Sequence, residues 1–175
     1  KLGAKDVVLL ERKQLTSGTT WHAAGEVVSG GTMTEDVAWM VRYSRDLYDR
    51  LEAETGLSTG FKQCGYLQLA STARREEGYR RETAFLQAYG IEKHILSQAE
   101  VADLVPLIRT DDSRVGFYTP DEGRANPVDV TMSMAKGARM NGVQIFEETE
   151  VTGFTQADGR VTGVETARGT IECEK

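Results

Sequence analysis

Proline is scarce in this 175-residue chain, with three residues. Together with 39% hydrophobic and 27% charged content, that scarcity excludes a collagen-like, low-complexity or disordered protein. Histidine and cysteine are scarcer still, with two of each. Cys64 and Cys173 lie far apart and outside any CxxC pair, so a disulfide framework or zinc ribbon is not expected and a reducing compartment fits better. His22 and His94 are also far apart, with no ligand cluster around either, so no metal site is expected. No apolar run approaches the roughly 20 residues of a membrane span, and the first residues show no charged-then-apolar signal pattern. Basic residues number 21 against 27 acidic ones, a formal charge of −6. That average repels a nucleic-acid backbone, so no nucleic-acid partner is expected. The length suits one domain, or at most one and a half.

What is present alternates between strand and helix patterns. Gly3 stands where a helix would stop. The run Val7-Val8-Leu9-Leu10 then reads as a strand buried on both faces of a parallel sheet. A single strand of that kind needs neighbours, so the chain reads as an excerpt from a larger protein; a natural edge strand with a ragged start is the alternative. Val37, Met40, Val41, Ser44, Leu47, Tyr48 and Leu51 recur every three or four residues, which predicts an amphipathic helix over 34–54. Cys64 to Ala70 is expected to be a strand, 71–88 a charged helix closed by Gly90, and 92–96 a short strand. Ser97-Gln98-Ala99-Glu100 has the spacing of a capping box and predicts a helix to Val105. Val115 to Thr119 reads as a strand and 120–125 as a polar loop. Asn126-Pro127 predicts a helix start, Asn141-Gly142 its end, and 143–146 another strand. Over the last thirty residues, Asp158-Gly159 and Arg168-Gly169 are turn signals, which predicts an antiparallel meander attached to an α/β body.

Two places could carry chemistry. Glu11 follows the apolar run directly, where open parallel sheets bind ligands and where an acid can hold ribose hydroxyls of a dinucleotide. The phosphate fingerprint GxGxxG would precede it by about twenty residues. A solvated strand-end acid is the alternative. The second place is Leu15-Thr16-Ser17-Gly18-Thr19-Thr20-Trp21-His22-Ala23-Ala24-Gly25. It offers hydroxyls and backbone N–H groups suited to phosphate or a polar ring edge. Three small residues after the Trp-His pair let a planar ligand approach the backbone. A neutral imidazole is a nucleophile, although a packed, hydrogen-bonded histidine is the plainer reading.

The string VVLLERKQLTSGTTWHAAG resembles the N-terminal flavin segment of the dimethylglycine/sarcosine dehydrogenase family, within the D-amino-acid-oxidase-like flavoproteins. YSRDLYDRLEAETGLSTGFKQCGYLQLA and GFYTPDEGRANPVDVTMSMAKGARMNGVQIFEETEVTGF are similar to that family too. The resemblance covers nearly the whole chain. It implies part of a Rossmann-like FAD-binding domain of the glutathione-reductase type, with the first strand and glycine fingerprint missing. FAD-binding portions at about 5–32 and 126–175 would flank an inserted, substrate-domain-like portion at about 33–125. By position, Glu11 would meet the adenosine ribose, with Arg12 beside it, and Gly18, Thr19 and Thr20 the pyrophosphate and ribityl chain. Trp21 stands beside His22, which would be joined to the 8α-methyl carbon of FAD. Ala23, Ala24 and Gly25 would face the flavin ring, and Val151 would hold the adenine by its main chain.

The reaction implied is hydride removal from the N-methyl group of a methylated glycine. Electrons would pass to an acceptor protein or oxygen, and tetrahydrofolate would be used by a part outside this chain. Arg42, Arg45 and Arg124 are candidates by type for a substrate carboxylate clamp, though an Arg on a helix or loop is more often solvated. Glu26 stands close to the expected ring, where the family often has apolar residues. The compartment implied is the cytoplasm in a bacterium and the mitochondrial matrix in a eukaryote. Three alternatives stay open: a related amine or amino-acid oxidase with dissociable FAD, a non-catalytic regulatory relative, and a generic α/β binding module.

Overall fold

In the computed structural model, residues 3–31 and 33–174 are described. In chain order, the strands are β1 (Val8–Leu10), β2 (Glu26–Val27), β3 (Lys62–Gln63), β4 (Tyr66–Ala70), β5 (His94–Leu96), β6 (Val115–Thr119), β7 (Gly123–Arg124), β8 (Gln144–Phe146), β9 (Val151–Ala157), β10 (Arg160–Thr166) and β11 (Gly169–Glu172). The helices are α1 (Glu35–Thr55), α2 (Ala73–Ala88), α3 (Gln98–Leu104) and α4 (Pro127–Met140), with a 3-10 turn at Thr20–His22. The expected α/β class is therefore borne out. The chain divides into two compact units, one of 1–24, 51–58 and 127–175, the other of 25–50 and 59–126.

In the first unit, β1 runs parallel to β8, with Val8 opposite Gln144 and Leu10 opposite Phe146. Helix α4 begins at Pro127, whose missing N–H costs nothing at that position. It ends in a Schellman arrangement, with the Val143 amide donating to the Ala138 carbonyl at 3.1 Å and the Gly142 amide to that of Arg139 at 3.0 Å. Its buried residues Val130, Ser133 and Ala135 are small, and Ser133 Oγ lies 2.8 Å from Thr55 Oγ1 at the end of α1. The expected meander is present as β9, β10 and β11. Asp158 and Gly159, with φ of 50° and 74°, form the two-residue turn between Ala157 and Arg160. The second turn falls one residue earlier than expected, because Gly169 already pairs with Thr166.

Strand β1 departs from expectation. Leu9 is 42% exposed and β8 is the neighbour of β1, so the strand is not buried on both faces. Val8 and Leu10 are half-buried, while Leu9 between them is exposed.

The second unit holds two antiparallel sheets, β4-β6-β5 and β2-β7-β3. Phe117 on β6 and Val101 on α3 are fully buried, and Ala38, Leu86 and Ile91 form a further buried cluster with Phe85 against it. The predicted 64–70 strand is interrupted. Gly65 turns the chain at φ 75°, with the Tyr118 ring occupying the space a side chain would need. Cys64 therefore lies outside β4. The predicted 120–125 loop contains β7, a strand of two residues that joins β2 to β3. The capping box forms as expected: Ser97 Oγ accepts from the Glu100 amide, and the Glu100 carboxylate accepts from the Ser97 amide at 2.7 Å.

Candidate functional site

The first unit carries the surface-displayed chemistry. Beyond β1 the parallel ladder continues, with the Glu11 amide donating to the Phe146 carbonyl and the Thr149 amide to the Glu11 carbonyl, both at 2.9 Å. This fixes Glu11 at the C-terminal end of β1, beside the chain that enters β9 two residues later at Val151. The Glu11 carboxylate accepts from the Lys13 amide at 2.8 Å. Arg12 is exposed. Val151 is 37% exposed and pairs with Thr166. Two of the sequence-predicted residues, Glu11 and Val151, are thus brought to one edge.

The loop that follows is pinned at its root. Leu15 donates its amide to the Glu147 carboxylate at 2.7 Å, and Glu148 its amide to the Lys13 carbonyl at 2.7 Å. Thr16 sits at φ 72°, a left-handed conformation that strains a β-branched residue. The Ser17 amide then closes a turn onto the Gln14 carbonyl at 3.1 Å. The 3-10 turn is made by the amides of His22 and Ala23 donating to Thr19 and Thr20 carbonyls, at 3.2 and 3.1 Å. The Trp21 and His22 rings lie 3.9 Å apart at 34°. Trp21 is 61% exposed, and His22, Ala23 and Ala24 are exposed as well. At Gly18 an added Cβ would meet nothing within 4 Å, and its φ is not in the positive range. Nothing among the described residues therefore demands glycine there. An open backbone, several hydroxyls and an exposed aromatic-imidazole pair beside small residues fit a flat, phosphate-bearing cofactor.

The second unit carries buried polar chemistry that the sequence did not signal. Lys93, 1% exposed, donates from Nζ to Glu82 at 2.5 Å and to Gln68 at 2.7 Å, and sits 5.9 Å from the Tyr79 ring centroid. Glu122 accepts from the Ser29 amide at 2.5 Å and from the Ser29 hydroxyl. Burial pushes the Glu122 carboxyl above its ordinary value, against the two Ser29 hydrogen bonds and the Lys93 charge. Burial also pushes the Tyr66 hydroxyl up, helped by the nearby charges of Glu26 and Glu122. Read along the chain, Glu122 falls in the polar loop expected over 120–125 and Lys93 in the short strand expected over 92–96, and nothing local marks either as buried.

The three candidate arginines differ. Arg45 is not a freely solvated charge: it donates to the Asp121 carbonyl, Asp46 and Gln63 at 3.1, 2.9 and 2.6 Å. Arg42 donates from Nη1 to the Tyr89 and Gly90 carbonyls, both at 3.3 Å. Arg124 is exposed in β7, opposite Glu26 on one side and Lys62 on the other. Gly25, at φ 81°, accepts from the Ala125 amide at 2.8 Å, and Glu26 is exposed.

The family described as FAD dependent oxidoreductase matches residues 1–175. The chain belongs to that family. It is 41% identical to human mitochondrial sarcosine dehydrogenase over 98% of this chain and 19% of that protein. It is 38% identical to the mouse mitochondrial pyruvate dehydrogenase phosphatase regulatory subunit, over 99% of this chain and 20% of that one. Among solved structures, the L-proline dehydrogenase of P. horikoshii matches with a TM-score of 0.87 at 26% identity, over 95% of this chain and 44% of that one. The resemblance read from the Trp-His-Ala-Ala-Gly segment is thereby borne out at the level of the family. The chain spans about a fifth of the length of the curated relatives it matches. No helix among the described residues is long and apolar enough to cross a membrane.

Proposed function

We propose that this chain is part of an FAD-dependent amine dehydrogenase that oxidises the N-methyl group of a methylated glycine, sarcosine or dimethylglycine, with FAD joined to His22. The observation that carries the reading is the exposed Trp21-His22 pair, its rings 3.9 Å apart and tilted by 34°, followed by exposed Ala23 and Ala24 on a loop rooted beside Glu11. Glu11 would accept hydrogen bonds from the ribose hydroxyls, with Arg12 beside it. Gly18, Thr19 and Thr20 would meet the pyrophosphate through amides and hydroxyls. Val151 would hold the adenine by its main chain, and Ala23, Ala24 and Gly25 would leave room for the ring. The His22 imidazole offers a ring nitrogen as the attachment atom. When bound, FAD supplies hydride acceptance, which no side chain can perform.

In this reading residues 5–32 and 126–175 contribute to the FAD-binding portion and 33–125 to the inserted portion. Electrons leave to an acceptor protein or oxygen, and tetrahydrofolate is used by a part outside this chain. The setting is the mitochondrial matrix in a eukaryote and the cytoplasm in a bacterium.

The test denatures the full-length protein and runs it on a gel. Flavin fluorescence should travel with the polypeptide, and the signal should vanish in His22→Ala. A dark band with yellow colour left in solution would support a relative with dissociable FAD. The 38% identity to a regulatory subunit favours a second reading, a non-catalytic relative. A full-length protein with no flavin spectrum at all would decide for that reading.

A further inference from the structure

Helix α2 of the second unit borders an open cleft of about 710 Å³, lined chiefly by Met33, Arg74, Arg75, Gly78, Tyr79 and Arg81. Positions 74, 78 and 81 are spaced by four and three residues, so they share one face of the helix. Gly78 stands inside α2, where glycine is a poor choice. Its φ is not positive, and an added Cβ would meet nothing within 4 Å. Neither its backbone nor the described neighbours require it. What glycine does supply is room for something to lie close against the helix.

The arginines break a local rule as well. Arg74 and Arg75 stand in the first turn of α2, where the helix dipole disfavours cations. Among the described residues, Arg74 has neither a hydrogen-bond nor an ion-pair partner. Arg75 donates from Nη1 to the Tyr79 hydroxyl at 3.1 Å and lies 5.7 Å from the centre of that ring. Arg81 is 3.9 Å from Glu77, with both side chains 70% exposed. Arg80 and Arg114, which do not line the cleft, are by contrast closely paired with Glu76, Arg80 from Nε and Nη2 at 3.0 and 2.8 Å and Arg114 from Nε at 2.8 Å. The acid that does line it, Glu82, is held by Lys93 at 2.5 Å. The cleft is therefore cationic in a chain of net charge −6, and its guanidinium donors are largely unspent. Residues that oppose local preference and meet at one place mark a functional site.

We propose that this cleft binds an elongated small dianion, one anionic group held by Arg74 and Arg75 and a second by Arg81, with the ligand's body crossing Gly78 beside Met33. Seven residues of helix separate Arg74 from Arg81, about 10 Å along the axis, which sets the span between the two groups. The guanidinium fork matches carboxylate and phosphate geometry alike, so either chemistry fits. The inference needs only the second unit and does not rest on flavin attachment.

The test titrates the full-length protein by calorimetry with suberate and with hexamethylene bisphosphonate, a dicarboxylate and a bisphosphonate of comparable span. Salt at about 0.15 M screens loose charge attraction. Saturable binding of at least one is expected, and the tighter of the two separates a carboxylate source from a phosphate source. Malonate, too short to bridge, should bind at least about tenfold more weakly. Arg74→Gln and Arg81→Gln should each weaken the long probe about tenfold, whereas Arg80→Gln, outside the cleft, should leave it unchanged. Gly78→Ala separates a ligand role from a structural one: it should raise the melting temperature of the free protein, alanine being the better helix former, yet weaken the long probe about tenfold. No saturable binding of either long probe, or malonate binding as tightly, would overturn the proposal. So would unchanged affinity in Arg74→Gln, Arg81→Gln or Gly78→Ala, a loss in Arg80→Gln as large as in Arg81→Gln, or a lowered melting temperature in Gly78→Ala. Each of these would leave a solvated basic helix face.

Discussion

The two units handle polar chemistry in opposite ways. The first displays it: Trp21, His22, Ala23 and Ala24 face outward on a loop secured at its root by Leu15–Glu147 and Lys13–Glu148 hydrogen bonds. The second buries it: Lys93, Glu82, Thr119 and Glu122 are all under a tenth exposed. A displayed side chain can be exchanged without disturbing the fold, whereas a buried charge holds its partner's charge in place. The first unit should therefore lose function before stability, and the paired Lys93 and Glu82 of the second should lose stability first.

Lys93→Met is the strongest attempt to break that contrast. It leaves Glu82 buried beside a thioether, and removing one member of a buried pair costs about 3–5 kcal/mol. Urea unfolding of the full-length protein should show that loss. Adding Glu82→Leu should recover much of it, because two apolar groups of matching size need no partner. A Lys93→Met protein as stable as wild type would mean the pair is not buried in solution.

Glu122 gives a pH-dependent form of the comparison. Burial raises its folded-state pKa above the unfolded value, so the native state holds more protons between the two. The associated stability is complete below the ordinary carboxyl pKa and is lost as pH rises through the raised one. Glu122→Gln never ionises, so its melting temperature should gain on wild type across that window and then hold level. A difference that stays flat with pH would contradict the burial. Smaller still is Ser97→Ala, which removes one half of the α3 capping box at an exposed position and should cost roughly 1 kcal/mol in the same unfolding assay.

These sites also mark what the sequence could and could not convey. Local signals read true: the Ser97–Glu100 spacing, Asn126-Pro127 and Asp158-Gly159 each act over a few residues, and each sits where its chemistry requires. Failures arose where distant partners decide. The acid of Glu122 and the cation of Lys93 became buried because Ser29, Glu82 and Gln68 arrive from other segments. Strand β7 has two residues and exists only because β2 and β3 flank it. The Trp-His-Ala-Ala-Gly segment is legible for a different reason: it carries the family resemblance, and Trp21, His22, Ala23 and Ala24 are exposed rather than packed into a core.

The smallest expected change in stability is also the most discriminating. At Gly18 the backbone is ordinary and a Cβ meets nothing within 4 Å, so Gly18→Ala should shift unfolding by no more than about 0.5 kcal/mol. Reduced freedom in the unfolded chain even favours the alanine slightly. If a pyrophosphate lies against this loop, the same methyl group takes the space the cofactor uses. Gly18→Ala should then lower the flavin content of the full-length protein while its melting temperature, measured without cofactor, stays put. A glycine that neither the backbone nor the neighbours require can be explained by what docks against it, and a variant that keeps both stability and flavin would remove that explanation.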